Sequence, residues 1–470
     1  MQPSQFNVHV PLPERNEVFL MNTFSDAQLL VSPDVTGLID RVAQGDTAFD
    51  TTERETIDTL IEHGFIVGSR DAERQALSDY FRAGREDTDV LRVTVLTTLQ
   101  CNFACDYCMQ GDHGDYNKTA SKMTLETAAR LTEWIEEQLD AVRPEKFILT
   151  YFGGEPLLNM PVIYLISERA HAMCEARGVP LLINIITNGL LMTPDIVDRL
   201  LPLGLNGIKI TLDGDKHTHD RMRPLRGRQG TFDKIIENVR RVAPKVAITI
   251  GGNFDESSAD SYPALLDFLA AQEFRDSIDK INFKPIIRMP EPKANGIIPL
   301  TVVDTAGKPL GGACMTSAGA GTGKGSSMCD SCHFVDEKMQ FLRDETRKRG
   351  FPTPDGVHLG PCEIHRRHAH TIGIDGSVYA CPGFGAETTQ AVGHISGFDA
   401  RSHGAAAAYF ERLDPLKKEC GDCSFIPVCG GGCSVAAAAE EGDMHAPSCH
   451  KSAMELAVVS LAQRTAAAVC

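Results

Sequence analysis

Between Leu91 and Ile287, apolar runs of strand length alternate with stretches of helical period, a rhythm that leaves few folds open to the chain. "LRVTVLT", "KFILTYF", "LLINIIT", "GIKITL", "VAITI" and "INFKPII" read as strands rich in β-branched residues. Between the first two, "TLETAARLTEWIEEQL" places Ala128, Leu131, Ile135 and Leu139 on one helical face. Further helices are expected over 161–177, from Thr193 with Pro194 at its start, over 231–242 and over 263–270. Six strands separated by helices imply a parallel sheet. Six units fall short of the eight that close a barrel, so an open partial barrel and a doubly wound sheet are the two candidates.

The flanks lack this rhythm. Residues 1–88 read as a small mixed module. "EVFLMNTF" is a strand, Ser32 caps a helix with Pro33 at its first position, and Thr52 and Glu55 stand in capping-box spacing before a second helix that Gly64 stops. "FIV" then closes the unit as a short strand. Residues 291–361 form a connecting segment rich in glycine and serine. Its "GTGKGSS" invites a phosphate-loop reading, but Ala318 stands where the first glycine belongs and Gly325 replaces the hydroxyl residue. From 362 to 470 cysteines are dense, after a hairpin "TIGIDGSVYAC" with a tight two-residue turn at Asp375-Gly376.

A formal net charge of -17 argues against nucleic acid or an anionic membrane as partner, since both call for basic patches. The one basic cluster, "RMRPLRGR" at 221–228, reads as a local loop feature. No apolar run approaches the roughly 18 residues that span a bilayer, and the first residues lack the basic and apolar regions of a signal peptide. Fifteen cysteines in such a chain point to a reducing, cytoplasmic setting, where cysteine clusters serve metals or catalysis more often than disulfides.

The unusual residues fall at the strand ends. Cys101, Cys105 and Cys108 in "CNFACDYC" follow the first strand, "GGEP" the second, "TNG" the third and "TLDG" the fourth. In parallel α/β folds these ends form one rim, where active sites assemble. Three thiolates on a four-iron cube leave one iron without a protein ligand, whereas structural zinc favours four. His113 is the nearest other candidate ligand in sequence.

"CNFACDYC" resembles the Cys-x3-Cys-x2-Cys signature of radical S-adenosylmethionine (radical SAM) enzymes. The resemblance covers about residues 89–290 and implies a partial (β/α)6 TIM-like barrel. It implies that the open iron chelates S-adenosylmethionine and that one electron cleaves the sulfonium. The resulting 5′-deoxyadenosyl radical would take a hydrogen from substrate. It further implies that Gly153, Gly154 and Glu155 hold the cofactor's amino group and that Asn188 and Thr211 contact its ribose or carboxylate. Tyr107 would meet the adenine and Arg223 the carboxylate. Family members more often carry Ser where Thr211 stands; the hydroxyl is kept. A flavodoxin, ferredoxin or reductase would be the electron donor.

The C-terminal cysteines resemble the SPASM extension of some radical SAM enzymes, which carries two auxiliary 4Fe–4S clusters. By that resemblance Cys420, Cys423, Cys429 and Cys449 hold the outer cluster, and Cys362, Cys381 and Cys433 the inner one, for three clusters in all. Cys314, Cys329 or Cys332 could complete the inner set. A structural zinc ribbon is the bland alternative. His365, His368 and His370 could offer an acid/base group there or simply form a solvated loop. The N-terminal module resembles the winged-helix, PqqD-like modules that recognise leader peptides, with a generic capping domain as the alternative. The combination implies a peptide maturase that forms a thioether or carbon–carbon crosslink in a ribosomally made precursor. An anaerobic sulfatase maturase is the runner-up, weakened because Pro382 stands where those relatives carry a basic Asp. A non-catalytic electron carrier is the remaining alternative, and no catalytic acid or base is assigned.

Overall fold

A computed structural model describes residues 1–108, 121–287, 330–357, 362–385, 388–397, 399, 401, 406–417 and 420–469. Six strands form its parallel core: β6 (Val90–Thr98), β7 (Lys146–Gly153), β8 (Leu181–Thr187), β9 (Leu205–Thr211), β10 (Ala247–Phe254) and β11 (Ile278–Pro285). They are numbered after five short strands of the N-terminal module given below. Each lies beside its successor in chain order and parallel to it, the arrangement of a partial TIM-like barrel rather than a doubly wound sheet.

Strand alternation splits the sheet into two unlike faces. Val93, Leu149, Ile185, Ile210 and Ile250 are buried against the connecting helices. Each such side chain contributes roughly 1.5–3 kcal/mol of burial. The intervening residues, among them Thr94, Thr150, Asn184, Lys209 and Thr249, are only half-buried and line the concave lumen. The helices are α4 (Leu125–Val142), α5 (Met160–Arg177), α6 (Pro194–Leu200), α7 (Lys216–Met222), α8 (Phe232–Val242) and α9 (Tyr262–Ala270), following three in the N-terminal module. Thr124 caps α4 by accepting from the Thr127 amide, and Pro194 opens α6 after Thr193.

The N-terminal module is larger than its sequence suggests. β1 (Gln2–Pro3) pairs with β5 (Ile66–Val67), and β2 (Asn7–Leu12), β3 (Glu17–Asn22) and β4 (Gln28–Val31) form an antiparallel meander. α1 (Pro33–Ala43), α2 (Thr51–Glu62) and α3 (Arg70–Glu86) complete it. The capping box of α2 is Asp50 with Glu53, two residues before the expected pair, because the Asp50 carboxylate takes the Glu53 amide. Ser32 precedes α1 in extended conformation but makes no side-chain cap bond.

Beyond the barrel lie α10 (Asp330–Lys348), β12 (Ala369–Ile372), β13 (Ser377–Tyr379), β14 (Gly393–His394), α11 (Ala406–Leu413), α12 (Ile426–Cys429), α13 (Ser434–Glu441) and α14 (Lys451–Ala468). β12 runs parallel to β6, pairing Thr371 with Thr94, so the C-terminal hairpin continues the barrel sheet. The turn is longer than the expected two residues. Gly373 pairs with Ser377 around Ile374, Asp375 and Gly376, and Gly376 at φ +95° supplies the left-handed residue. Phe19 and Met21 of β3 share a core with Phe425 and with Met454 and Val458 of α14. Thr23 donates to the Ser424 carbonyl. The N-terminal module thus rests on the loop carrying Cys420, Cys423 and Cys429. No helix among the described residues is long and apolar enough to cross a membrane.

Candidate active site

The loop after β6 brings Cys101, Cys105 and Cys108 to the rim. It is pinned to the next strand end by backbone bonds: the Gly154 amide donates to the Thr98 carbonyl at 2.8 Å and the Glu155 amide to Gln100 at 2.8 Å. Both glycines are dictated by this approach. A Cβ on Gly153 would lie 2.3 Å from the Thr98 oxygen, and one on Gly154 2.2 Å from that of Gln100.

Glu155 is wholly buried and its carboxylate is fully engaged. It accepts from Thr187 Oγ1 at 2.7 Å, the Asn188 amide at 2.8 Å and the Leu157 amide at 3.1 Å. Burial pushes its carboxyl above the usual range. The side chain therefore ties the ends of β7 and β8 together, leaving backbone atoms of the Gly-Gly-Glu turn to meet a ligand. Asn188 Nδ2 reaches Asn102 Oδ1 at 2.7 Å and lies 3.9 Å from the Cys101 sulfur.

Tyr107 meets a buried polar knot. Its hydroxyl donates to Asp213 and accepts from Arg223, with Asn253 Nδ2 at 3.3 Å. Asp213 also takes the Asn253 amide at 2.7 Å. Arg223 and Asp213 are buried, so neither charge could remain there without the other. In this arrangement the phenol and guanidinium lock the cysteine loop to the ends of β9 and β10. Thr211 ends β9, paired with Gly251. Asp213 lies within the "TLDG" motif but carries no role there from sequence, and Asn253 lies outside the four strand-end motifs. Following the strand-end pattern to a fifth strand, "IGGNF", would have found Asn253.

The donor set fits a thiolate-bound cluster with an adjoining ligand. The Phe103 amide donates to the Cys101 sulfur at 3.4 Å, the hydrogen bond that steadies iron-bound thiolates. Burial holds the Cys101 thiol up at about 12 and Cys105 at about 11, so a bound metal ion would be the agent of deprotonation. Two buried donors, Asn102 Nδ2 and Arg223 Nε, have no hydrogen-bond partner among the described residues, as expected beside a carboxylate-bearing ligand. No three histidine, cysteine or acidic side chains among the described residues gather around one metal position. A cube whose irons each take one thiolate needs them spread around its corners instead.

The C-terminal cysteines divide into two neighbourhoods. Cys381 lies within electrostatic reach of Cys362 and Cys433, and Cys429 within reach of Cys420 and Cys423. The Gly383 amide donates to the Cys381 sulfur at 3.4 Å. The Gly430–Gly432 turn carries left-handed glycines, and a Cβ on Gly432 would lie 1.9 Å from the Ser448 oxygen. That contact brings Cys449 beside the Cys429–Cys433 turn. The eleven cysteines whose side chains are described, these among them, are free thiols. Cys314, Cys329 and His113 lie outside the described residues, as does the side chain of Cys332 and the "GTGKGSS" stretch.

The histidines part company. His370 is buried on β12, 2.9 Å from Asp399 and edge-on to Trp134; burial drops its pKa to about 4. It is a packed core residue on the helix-facing side of the sheet. His368 lines a cavity of about 660 Å³ against α4, and His365 sits in a short 3-10 turn.

Residues 95–253 match the family model described as the radical SAM superfamily. The GTP 3′,8-cyclase of Clostridium perfringens is 33% identical over 158 residues, covering 34% of this chain and 43% of that protein. The radical SAM cyclopropyl synthase TigE of Paramaledivibacter caminithermalis is 27% identical over 158 residues, covering 31% and 33%. The chain thus spans less than half the length of these curated relatives. Among solved structures, native anSMEcpe with bound AdoMet superposes with a TM-score of 0.59 at 15% identity, over 80% of this chain and 98% of that one. Its complex with AdoMet and a Cp18Cys peptide gives 0.58 at 14%, over 80% and 97%. At such identity the likeness is one of fold, and it extends beyond the barrel into the cysteine-rich C-terminus. Residues 95–253 of this chain are a radical SAM superfamily domain.

Proposed function

We propose that the chain is a peptide-modifying radical SAM enzyme with two auxiliary 4Fe–4S clusters beside its barrel. The observation that carries this reading is the grouping of the C-terminal cysteines into two sets, joined to the barrel through the β12–β6 pairing. When bound, S-adenosylmethionine and the Cys101–Cys105–Cys108 cluster supply one-electron cleavage of the sulfonium and hydrogen abstraction from substrate.

The chain's own residues hold and orient. Backbone atoms of Gly153, Gly154 and Glu155 would take the cofactor's amino group, and Asn188, Thr211 and Arg223 would contact its ribose or carboxylate. The Tyr107–Asp213–Arg223 knot fixes the loop whose Cys101, Cys105 and Cys108 would hold the cluster. The second cysteine field takes up the released electron or binds a substrate thiolate, with a flavodoxin, ferredoxin or reductase as electron source. β4 pairs only with β3 among the described residues, which suits addition of a leader peptide as a further strand. Tethering there would raise the concentration of the core peptide at the rim.

Pro382 opens a 3-10 turn directly after Cys381, where a sulfatase maturase would place its basic carboxylate; this favours the crosslinking reading. The test is anaerobic reconstitution of the full chain with iron and sulfide, followed by dithionite and S-adenosylmethionine. About 12 irons per chain and formation of 5′-deoxyadenosine are expected. Zinc in their place, or no 5′-deoxyadenosine, would refute the proposal.

A further inference from the structure

The lumen holds a basic stripe that the proposed chemistry leaves unused. On β11, Lys280 and Lys284 alternate with Asn282 on the lumen face, and Thr249 of β10 pairs with both Lys280 and Lys209 of β9. Lys209 leans toward the rim. Its Cε passes 2.7 Å from where a Cβ on Gly251 would stand, so the glycine makes room for the lysine stem. Gly251 pairs with Thr211, and Asn253 with Lys284. The stripe therefore ends beside the Tyr107 knot, because Asn253 donates to the Tyr107 hydroxyl at 3.3 Å. Lys284 also lies within electrostatic reach of Cys362.

None of the three ammonium groups makes a hydrogen bond or ion pair among the described residues, in a chain of net charge -17. Burial first, and then repulsion from Lys284 and Lys280, hold Lys209 down at about 8. Lys280 and Lys284 are exposed and Lys209 is half-buried beside them; three like charges on one face are a cost to Lys209, the kind of local violation that functional sites keep. Lys280 and Lys284 are four residues apart, roughly 13 Å along the strand. That span suits carboxylates four residues apart in an extended peptide, which covers the same distance. A nucleoside triphosphate concentrates its charge in one compact group instead.

From this placement we infer that Lys209, Lys280 and Lys284 form the docking stripe for an acidic segment of the substrate peptide, holding it between the rim and the Cys362 neighbourhood. The assignment rests on the peptide reading above and adds the substrate's charge class to it. It requires aspartate or glutamate at positions four residues apart near the modified position.

The test is fluorescence anisotropy on the reconstituted full chain at low ionic strength, with labelled octapeptides of alternating Glu-Gly and Gln-Gly and with GTP as competitor. The Glu peptide should bind about tenfold or more tightly than the Gln peptide, with the difference shrinking in high salt. Lys280→Gln and Lys284→Gln should each weaken that preference, and adding Lys209→Met should erase it. Lys284→Arg should retain it, which separates charge from misfolding. Equal binding of the two peptides, an unchanged preference in the triple variant, or tighter binding of GTP than of the Glu peptide would overturn the inference. Formation of 5′-deoxyadenosine by the unsubstituted enzyme is scored separately. Its absence would defeat the radical SAM reading, while the peptide preference alone decides the stripe.

Discussion

The two cysteine fields present the same ligand type on different supports. Cys101, Cys105 and Cys108 hang from a loop clamped by the ends of five adjacent strands, through Glu155, Asn188, Tyr107, Asp213 and Asn253. Cys420, Cys423, Cys429, Cys433 and Cys449 lie on short turns with little regular structure, braced by glycines and by the apolar face of the N-terminal module. A rim made by parallel strands is positioned by the barrel core whether or not metal is bound. A field of turns would gain much of its order from any metal it encloses.

This contrast can be broken at several points. The largest effect is expected from Cys105→Ala, which removes one of the three proposed thiolate ligands: 5′-deoxyadenosine formation should fall to background. Gly154→Ala comes next, since its Cβ would stand 2.2 Å from the Gln100 carbonyl and force the two loops apart. A shift of this size should cost about 10²-fold or more in cofactor cleavage. Wild-type rates in that variant would show that the loop contact does not position the cofactor.

Gly432→Ala tests the other support. Its φ of +88° and the 1.9 Å approach to Ser448 leave no room for a side chain. Iron content should drop by about four per chain, and an unaltered count would mean that Cys449 is not held against that turn. Chelating all iron should then separate the fields by hydrogen exchange. Amides of residues 420–449 should lose about tenfold or more of their protection, while those of β6–β10 keep theirs. Equal loosening of both would erase the contrast.

The smallest effect concerns the lumen between the fields. Because Lys209 binds its proton less tightly in the fold than in the unfolded chain, it costs stability fully below about pH 8. That cost fades as pH rises toward the unfolded value. Lys209→Met should therefore stabilise the chain by about 1–3 kcal/mol at neutral pH and by nothing near pH 11. Thermal melts across that range read the difference. A gain that grows with pH would contradict the sign.

Much of the barrel was legible because its signals are local. Thr124, Thr193 and Pro194 mark helix starts in the chain, and alternation within β7 and β8 fixes which residues face the helices. What escaped the sequence depends on distant partners. β12 joins β6 across more than 270 residues, and no local pattern specifies that choice. In α2 two pairs have capping spacing, Asp50 with Glu53 and Thr52 with Glu55; only the fold shows that the chain enters the helix at the first. The three cysteines of the rim could be read from their spacing. The engagement of Tyr107 with Asp213 and Arg223 could not, because those residues meet 106 and 116 positions apart.

The most direct test of the open iron is electron paramagnetic resonance of the dithionite-reduced chain with and without S-adenosylmethionine. Three reduced clusters are expected, and addition of the cofactor should shift the signal of one of them, the one lost in Cys105→Ala. Spectra identical with and without the cofactor, in a chain carrying its full complement of iron, would contradict the assignment of Cys101, Cys105 and Cys108 as a site with a vacant position.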